Sequence, residues 1–183
     1  AGDIITNTAS LTFRGASAIT SSNVVTTTVS EPTLGLSKRS NPASGSTVEA
    51  GDTVTYTVAI TNRPGPSAST ASALIVRDTL PPFMRDVAPV PAVTLDGSPL
   101  TTPADYTSSY NSASGLQRLT FAQSFSLPVG SVLQIQYSAV VSPFVPVGTA
   151  LTNQAQASWS SLPGAIRRHR NYGLVPDTTT LTV

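Results

Sequence analysis

The feature that most constrains this chain is a run of ten residues, 53–62, in which large apolar side chains alternate with small or polar ones from Thr53 to Thr61. Val54, Tyr56, Val58 and Ile60 share one side, while threonine and alanine occupy the other. Successive side chains of a strand point to opposite faces, so this pattern predicts a half-buried antiparallel strand. Glycine before the run and Pro-Gly-Pro after it predict the turns that bound the strand.

Shorter runs of the same kind recur and are separated by proline and glycine. They predict strands at 34–38, 74–78, 116–125, 132–141, 151–159 and 178–183. Residues 89–110 are rich in proline, serine and threonine and predict a long loop with a hairpin at Asp96-Gly97. Short strands without helical periodicity predict an all-β, immunoglobulin-like antiparallel β-sandwich.

The composition limits the kinds of partner that the chain can recognise. Charged residues make up only 10% of the sequence, the formal net charge is +1, and there is no cysteine. A nucleic-acid partner would require a basic surface, and membrane insertion would require about 20 consecutive apolar residues. We therefore expect an extracellular protein that binds no nucleic acid, does not insert into a membrane and needs no cofactor.

The beginning of the chain repeats its end. Residues 2–13 match residues 148–159 position by position, and residues 24–29 match residues 178–183 more loosely. Residues 34–145 occur once. This partial repeat predicts one whole module preceded by an additional hairpin that resembles the end of another module.

We therefore divide the chain into an N-terminal β-hairpin, residues 1–30, and a sandwich module, residues 31–183. Two interpretations of the hairpin are open. It is either the end of a preceding repeat or a segment that docks onto a sheet edge of a neighbouring copy, because exposed strand edges favour such pairing. The side chains assigned to assembly are Ile4, Ile5, Asn7, Ala9, Leu11 and Phe13.

Four motifs carry a resemblance to a known family: AGDTVTYTV at 50–58, Thr61-Asn62, VRDTLP at 76–81, and LTNQA at 151–155. In this order they resemble the immunoglobulin-like repeat of bacterial surface proteins called domain of unknown function 11. They also resemble the related fimbrial domains of Gram-positive pilins and adhesins. The resemblance implies a β-sandwich in a stalk, adhesin, layer protein or filament at the bacterial cell surface.

Fimbrial members of this group form an intramolecular isopeptide bond between a lysine on the first strand and an asparagine on the last. An acidic residue on a middle strand promotes the reaction. Lys38, Asn153 and Asp78 match these positions by order and by neighbouring motif, and Lys38 is the only lysine in the chain. The resemblance therefore implies that Lys38 and Asn153 are crosslinked and that Asp78 promotes the crosslink.

The strand phase independently directs these three polar residues into one core. Lys38 is in phase with Leu36, and Asp78 is in phase with Val76. Burial favours a neutral lysine, which is a nucleophile, and a protonated aspartate that can polarise the Asn153 amide. Each molecule would react once, so no enzymatic turnover is expected. A buried ion pair without a bond would give the same pattern, and a lysine at a strand end could instead extend to solvent.

Asn7 occupies in the first copy the position that Asn153 occupies in the second. The chain has no second lysine to pair with Asn7. Any such partner must therefore belong to another module or subunit, and a plain strand residue would show the same pattern.

A short basic run lies between the last two predicted strands, 151–159 and 178–183, and is the only concentrated charge in the sequence. It is a candidate contact for an acidic neighbour, a phosphate or an anionic glycan, although a solvated loop has the same composition. It contains the single histidine of the chain, so no metal site is expected. Its residues are Arg167, Arg168, His169 and Arg170.

Together these features predict a structural module of an extracellular fibre, stalk or filament that packs against copies of itself or adjacent repeats. The alternative is an adhesin domain in which loop 89–110 or loop 160–176 binds a ligand. A structural subunit should associate through residues 1–30, whereas an adhesin tip should stay monomeric.

Overall fold

The computed structural model describes residues 2–11, 14–15, 20–21, 23–87, 90–163, 171–173 and 176–183. Within these ranges the chain is all-β, and no helix there is long and apolar enough to cross a membrane. The strands in chain order are β1 (Ile4–Asn7), β2 (Ser10–Leu11), β3 (Thr20–Ser21), β4 (Val25–Thr28), β5 (Leu34–Asn41), β6 (Thr53–Asn62), β7 (Ala71–Thr79), β8 (Met84–Arg85), β9 (Ala92–Leu95), β10 (Ser98–Pro99), β11 (Tyr106–Asn111), β12 (Leu116–Phe121), β13 (Ser126–Leu127), β14 (Val132–Val141), β15 (Ala150–Ser160), β16 (Asn171–Gly173) and β17 (Asp177–Thr182).

Two antiparallel sheets form the sandwich. The first sheet has the order β10-β9-β14-β6-β5, and β8 also pairs with β14. The second sheet has the order β11-β12-β7-β15-β16, with β13 also paired to β7 and β17 also paired to β15. The first strand of the module, β5, and the last, β17, therefore belong to different sheets.

The core lies between the sheets because alternate residues of the long strands point inward. In β6 and β15 nearly every second side chain is buried, as a period of two requires. Side chains from both sheets form two buried clusters. One includes Ile60, Leu74 and Leu133, and the other includes Tyr56 and Leu151.

The segment that follows β5 joins the two sheets along one edge. Gly45 N donates to Thr180 O at 2.8 Å, and Val48 N donates to Thr182 O at 2.9 Å. The backbone N of Lys38 also donates to a carboxylate oxygen of Asp177 at 2.8 Å. These bonds hold β5 of the first sheet beside β17 of the second.

The predicted N-terminal hairpin is present as the N-terminal ribbon, which consists of β1 paired with β4 and β2 paired with β3. The side chains of β1, β2 and β4 are all exposed. The ribbon therefore forms backbone hydrogen bonds without contributing to either buried cluster.

Most predicted strands are confirmed, and 53–62 and 132–141 have the predicted bounds. Residues 122–125 interrupt the predicted strand 116–125, because Phe125 N donates to Ala122 O in a turn before β13.

The predicted hairpin at Asp96-Gly97 is confirmed, since both residues have positive φ and connect β9 to β10. The prediction that 89–110 is otherwise a loop is wrong at β11. This edge strand is rich in serine and tyrosine, and pairing with β12 defines it rather than an apolar pattern of its own. Phe13 and the basic run Arg167, Arg168, His169 and Arg170 lie outside the described residues.

Candidate crosslink site

Three strands from the two sheets carry the polar residues that the sequence singled out. Lys38 lies on β5 of the first sheet, while Asp78 on β7 and Asn153 on β15 belong to the second sheet. Asn153 therefore does not lie on the last strand, β17, as the resemblance implied, but on the strand of the second sheet that pairs with it. Asp78 is paired with Ala155, so Asn153 is its diagonal neighbour on the same face. The structure buries all three residues, with 5%, 2% and 0% of Lys38, Asp78 and Asn153 exposed.

Lys38 and Asp78 form a buried ion pair across the sandwich. The Lys38 ammonium donates a hydrogen bond to Asp78 Oδ2 at 2.5 Å. No part of the Lys38 side chain is exposed, so the alternative in which it extends to solvent is wrong. An amine and a carboxyl group are therefore held in contact in the core, where neither is solvated.

Two tyrosines form an aromatic wall beside this pair. Tyr56 and Tyr137 are directly paired between β6 and β14, and their ring centroids are 5.5 Å apart. The Lys38 ammonium lies 5.1 Å from the Tyr56 centroid and 5.8 Å from the Tyr137 centroid. Such contacts favour a cation while they exclude water from it.

Tyr137 also connects the pair to the asparagine. Asn153 Nδ2 donates a hydrogen bond to the Tyr137 hydroxyl at 2.9 Å. Among the groups that the structure describes, neither Oδ1 of Asp78 nor Oδ1 of Asn153 has a hydrogen-bond partner, and both are buried. Buried acceptors without a donor are costly, and a proton on Asp78 would convert one of these two acceptors into a donor.

Burial shifts the acidities of the ion pair toward its neutral form. It lowers the pKa of Lys38, and the charge and hydrogen bond of Asp78, with a smaller effect of Asp177, oppose this only in part. Burial also raises the pKa of Asp78 against the opposing effects of Lys38 and Tyr137. Proton transfer from Lys38 to Asp78 is therefore less costly here than in water.

The same burial keeps both tyrosines protonated. It raises the pKa of Tyr56 and of Tyr137, and the nearby negative charge of Asp78 raises them further. The Tyr137 oxygen accepts the hydrogen bond from Asn153 Nδ2, and this bond opposes the rise of the Tyr137 pKa only in part. Sequence reasoning placed Tyr56 in the core but did not assign either tyrosine to the site. The sequence did contain a signal for this, because both tyrosines are in phase with the inward-facing apolar residues of 53–62 and 132–141.

The remaining candidate residues are not part of this cluster. Asn7 lies on β1 of the exposed ribbon, and the other described assembly residues are exposed with it: Ile4, Ile5, Ala9 and Leu11. Asn62, part of a resemblance motif, donates to the backbone oxygens of Ser69 and Leu127 at 2.9 Å and has a structural role. No cluster of three metal-binding side chains occurs within the described ranges.

No family model matches the sequence, and no curated protein matches it. Among solved structures, BcpA, the major pilin subunit of Bacillus cereus, is similar with a TM-score of 0.60 and 12% identity over 82% of this chain and 40% of the pilin. The full-length major pilin SpaD from Corynebacterium diphtheriae has a TM-score of 0.55 and 16% identity over 81% of this chain and 33% of SpaD. The C-terminal domain of AspA, a Streptococcus pyogenes antigen I/II-family protein, has a TM-score of 0.51 and 20% identity, covering 90% of this chain and 50% of that structure.

These similarities confirm the predicted sandwich and its likeness to pilin domains at the level of the fold. The chain spans half or less of the length of each of these three structures. The resemblance to domain of unknown function 11 stays a prediction, since no family model matches.

Proposed function

We propose that this chain is a load-bearing module of an extracellular fibre or stalk at the bacterial cell surface, locked by an isopeptide bond between Lys38 and Asn153. The observation that carries the proposal is the buried contact between Lys38 and Asp78 on the face that holds Asn153. The fold shared with major pilins supports a structural role.

The proposed reaction begins with proton transfer from Lys38 to Asp78. The neutral Nζ of Lys38 attacks Cγ of Asn153, while protonated Asp78 donates a hydrogen bond to Oδ1 of Asn153. The Cγ–Nδ2 bond then breaks, and Nδ2 leaves as ammonia with a proton that originated on Lys38. One amide replaces another, so the step is neither an oxidation nor a reduction and needs no cofactor.

The proposed bond would connect the first strand of the module to a central strand of the opposite sheet. Force applied to the two ends of the chain would pass through this bond instead of through the strands between residues 38 and 153. Those strands, which contain most of the core, would stay folded under a load that separates hydrogen-bonded strands.

The intact mass of the chain, measured in denaturant, tests the chemistry. We expect the native chain to be lighter than its sequence by one ammonia, and Lys38→Arg and Asp78→Asn to have their full sequence masses. Arginine keeps the charge but is effectively never deprotonated, so it cannot attack. A native mass equal to the sequence mass would reduce the cluster to a structural ion pair.

Stretching single molecules by their two ends tests the load-bearing role separately. The native chain should extend only by the residues outside 38–153, whereas Lys38→Arg should extend along its whole length. Full extension of the native chain would contradict a covalent lock at these positions.

A further inference from the structure

The N-terminal ribbon reproduces the pairing of the closing hairpin, which consists of β15 and β17. In the ribbon, Ile5 pairs with Thr27. The aligned residues of the closing hairpin, Leu151 and Leu181, pair in the same way. All four residue pairs of β1 and β4 align with pairs of β15 and β17, so the repeat extends from the sequence to the strand register.

The backbone bond that begins each hairpin is also repeated. Gly2 N donates to Val29 O at 2.9 Å, and Gly148 N donates to Val183 O at 2.5 Å. Turns and pairs of strands form in many contexts, but the same register with the same terminal bond indicates one structural unit present twice.

The two copies of the hairpin differ in how far their aligned side chains are buried. Ile5 and Leu11 are 60% and 65% exposed, whereas the aligned Leu151 and Ala157 are 0% and 4% exposed. In the closing hairpin this face packs against the opposite sheet, and β7 occupies one edge of β15. The ribbon therefore has apolar side chains at positions that are buried in the closing hairpin, and no described residue buries them.

We propose that the ribbon is the closing hairpin of a second sandwich of the same type, which precedes residues 31–183 and supplies every strand except the last two. The partner is thus an open sandwich with strands equivalent to β5 through β14. In this preceding sandwich, Asn7 would occupy the position of Asn153 and would be crosslinked to a lysine on the first strand of that sandwich. The crosslink at Asn7 rests on the proposed function, while the docking does not.

A second copy of residues 31–183 fits this role less well. Its own β15 and β17 already occupy the position that the ribbon would take beside β7. In the proposed preceding module this position is free, because that module lacks its own last two strands.

The connection between the ribbon and the module suits such a tandem arrangement. A single residue, Ser30, separates Val29 of the ribbon from Glu31, whose N donates to Ser67 O at 2.9 Å. Two sandwiches joined this closely would have little freedom to reorient, as a stalk requires.

The test extends the intact chain with its own open module. Residues 31–146 are placed directly before residue 1, so that Pro146 precedes Ala1-Gly2 as it normally precedes Val147-Gly148. We expect the added segment to resist protease and the denatured mass to fall short of the sequence mass by two ammonias. Asn7→Ala in this tandem protein should reduce the deficit to one ammonia without exposing the added segment to protease.

Matched ribbon variants identify the face that closes the added segment. Ile5→Asp combined with Leu11→Asp should expose the added segment to protease. Ile4→Asp should not, because Ile4 aligns with the outward-facing Ala150. Both variants leave residues 31–183 of the original chain unchanged and provide an internal folding control.

The outcomes separate the two proposals. An added segment that stays sensitive to protease overturns the assignment of the ribbon, whatever the mass. A protected segment with no ammonia lost anywhere would support the assignment while contradicting the proposed crosslink. If the original chain alone dimerises, and Ile5→Asp abolishes the dimer, a second copy covers this face and the assignment is overturned.

Discussion

The N-terminal ribbon and the closing hairpin share a register but differ in burial, and this contrast separates what local sequence determines from what the rest of the fold determines. Both hairpins have the same register because their aligned strands repeat the same pattern of residues. Only the closing hairpin has a sheet opposite it. Each has an asparagine at the same position, yet only Asn153 lies in a core with an amine and a carboxyl group. The chemistry thus depends on long-range packing rather than on the asparagine alone.

Replacing each of the two asparagines with alanine, in separate variants, should give the largest difference in the free energy of unfolding. Asn153→Ala removes the proposed crosslink, and a covalent loop of this length stabilises the folded state by about 5 kcal/mol through the unfolded chain. Asn7→Ala should leave the free energy of unfolding unchanged, because Asn7 lies in the exposed ribbon. Denaturant titration of both variants measures this. Equal stabilities would show that Asn153 carries no lock.

The aligned aliphatic residues test burial without the crosslink. Leu151→Ala opens a cavity in the core and should cost about 3 kcal/mol. Ile5→Ala should change stability by less than about 0.5 kcal/mol, since Ile5 is largely exposed in the chain alone. Both variants are made in the Asn153→Ala background, so that thermal unfolding measures the effect of burial without the crosslink. A comparable loss for Ile5→Ala would mean that the ribbon is already packed.

Two glycines with positive φ extend the contrast to the backbone. A Cβ at Gly115 would lie 2.5 Å from Leu80 O, whereas a Cβ at Gly15 would have nothing within 4 Å. We expect Gly115→Ala to destabilise the module by about 2 kcal/mol. Gly15→Ala strains only the ribbon turn, so the unfolding midpoint of the module should stay unchanged. A shifted midpoint for Gly15→Ala would show that the ribbon and the module unfold as one unit.

The smallest expected effect is a pH dependence that the buried site should show. Because the pKa of folded Asp78 is raised above 3.8, the folded state holds its proton to higher pH than the unfolded state. The stability from this proton is complete below the ordinary pKa and is lost as the pH rises through the folded value. The free energy of unfolding of Asn153→Ala, taken relative to the Asn153→Ala, Asp78→Asn double variant, should therefore fall as the pH rises. A relative stability that increases with pH would contradict the raised pKa.

Periodicity was sufficient to predict the long strands and the inward direction of Lys38, Asp78 and Asn153, because one buried face fixes the phase of a strand. It did not predict β11, since the hydrogen bonds of this edge strand depend on β12 rather than on its own pattern. It also did not predict that the Tyr137 hydroxyl holds Asn153. That contact depends on how the two sheets are placed, which alternation along a strand does not specify.

The most direct test of this account is a peptide map of the native chain, digested in denaturant and analysed by tandem mass spectrometry. We predict one branched product in which the Lys38 peptide is joined to the Asn153 peptide with the loss of one ammonia. In the chain alone, the Asn7 peptide should be linear and unmodified. Separate linear peptides containing Lys38 and Asn153 would contradict the covalent lock and leave a sandwich held together by packing alone.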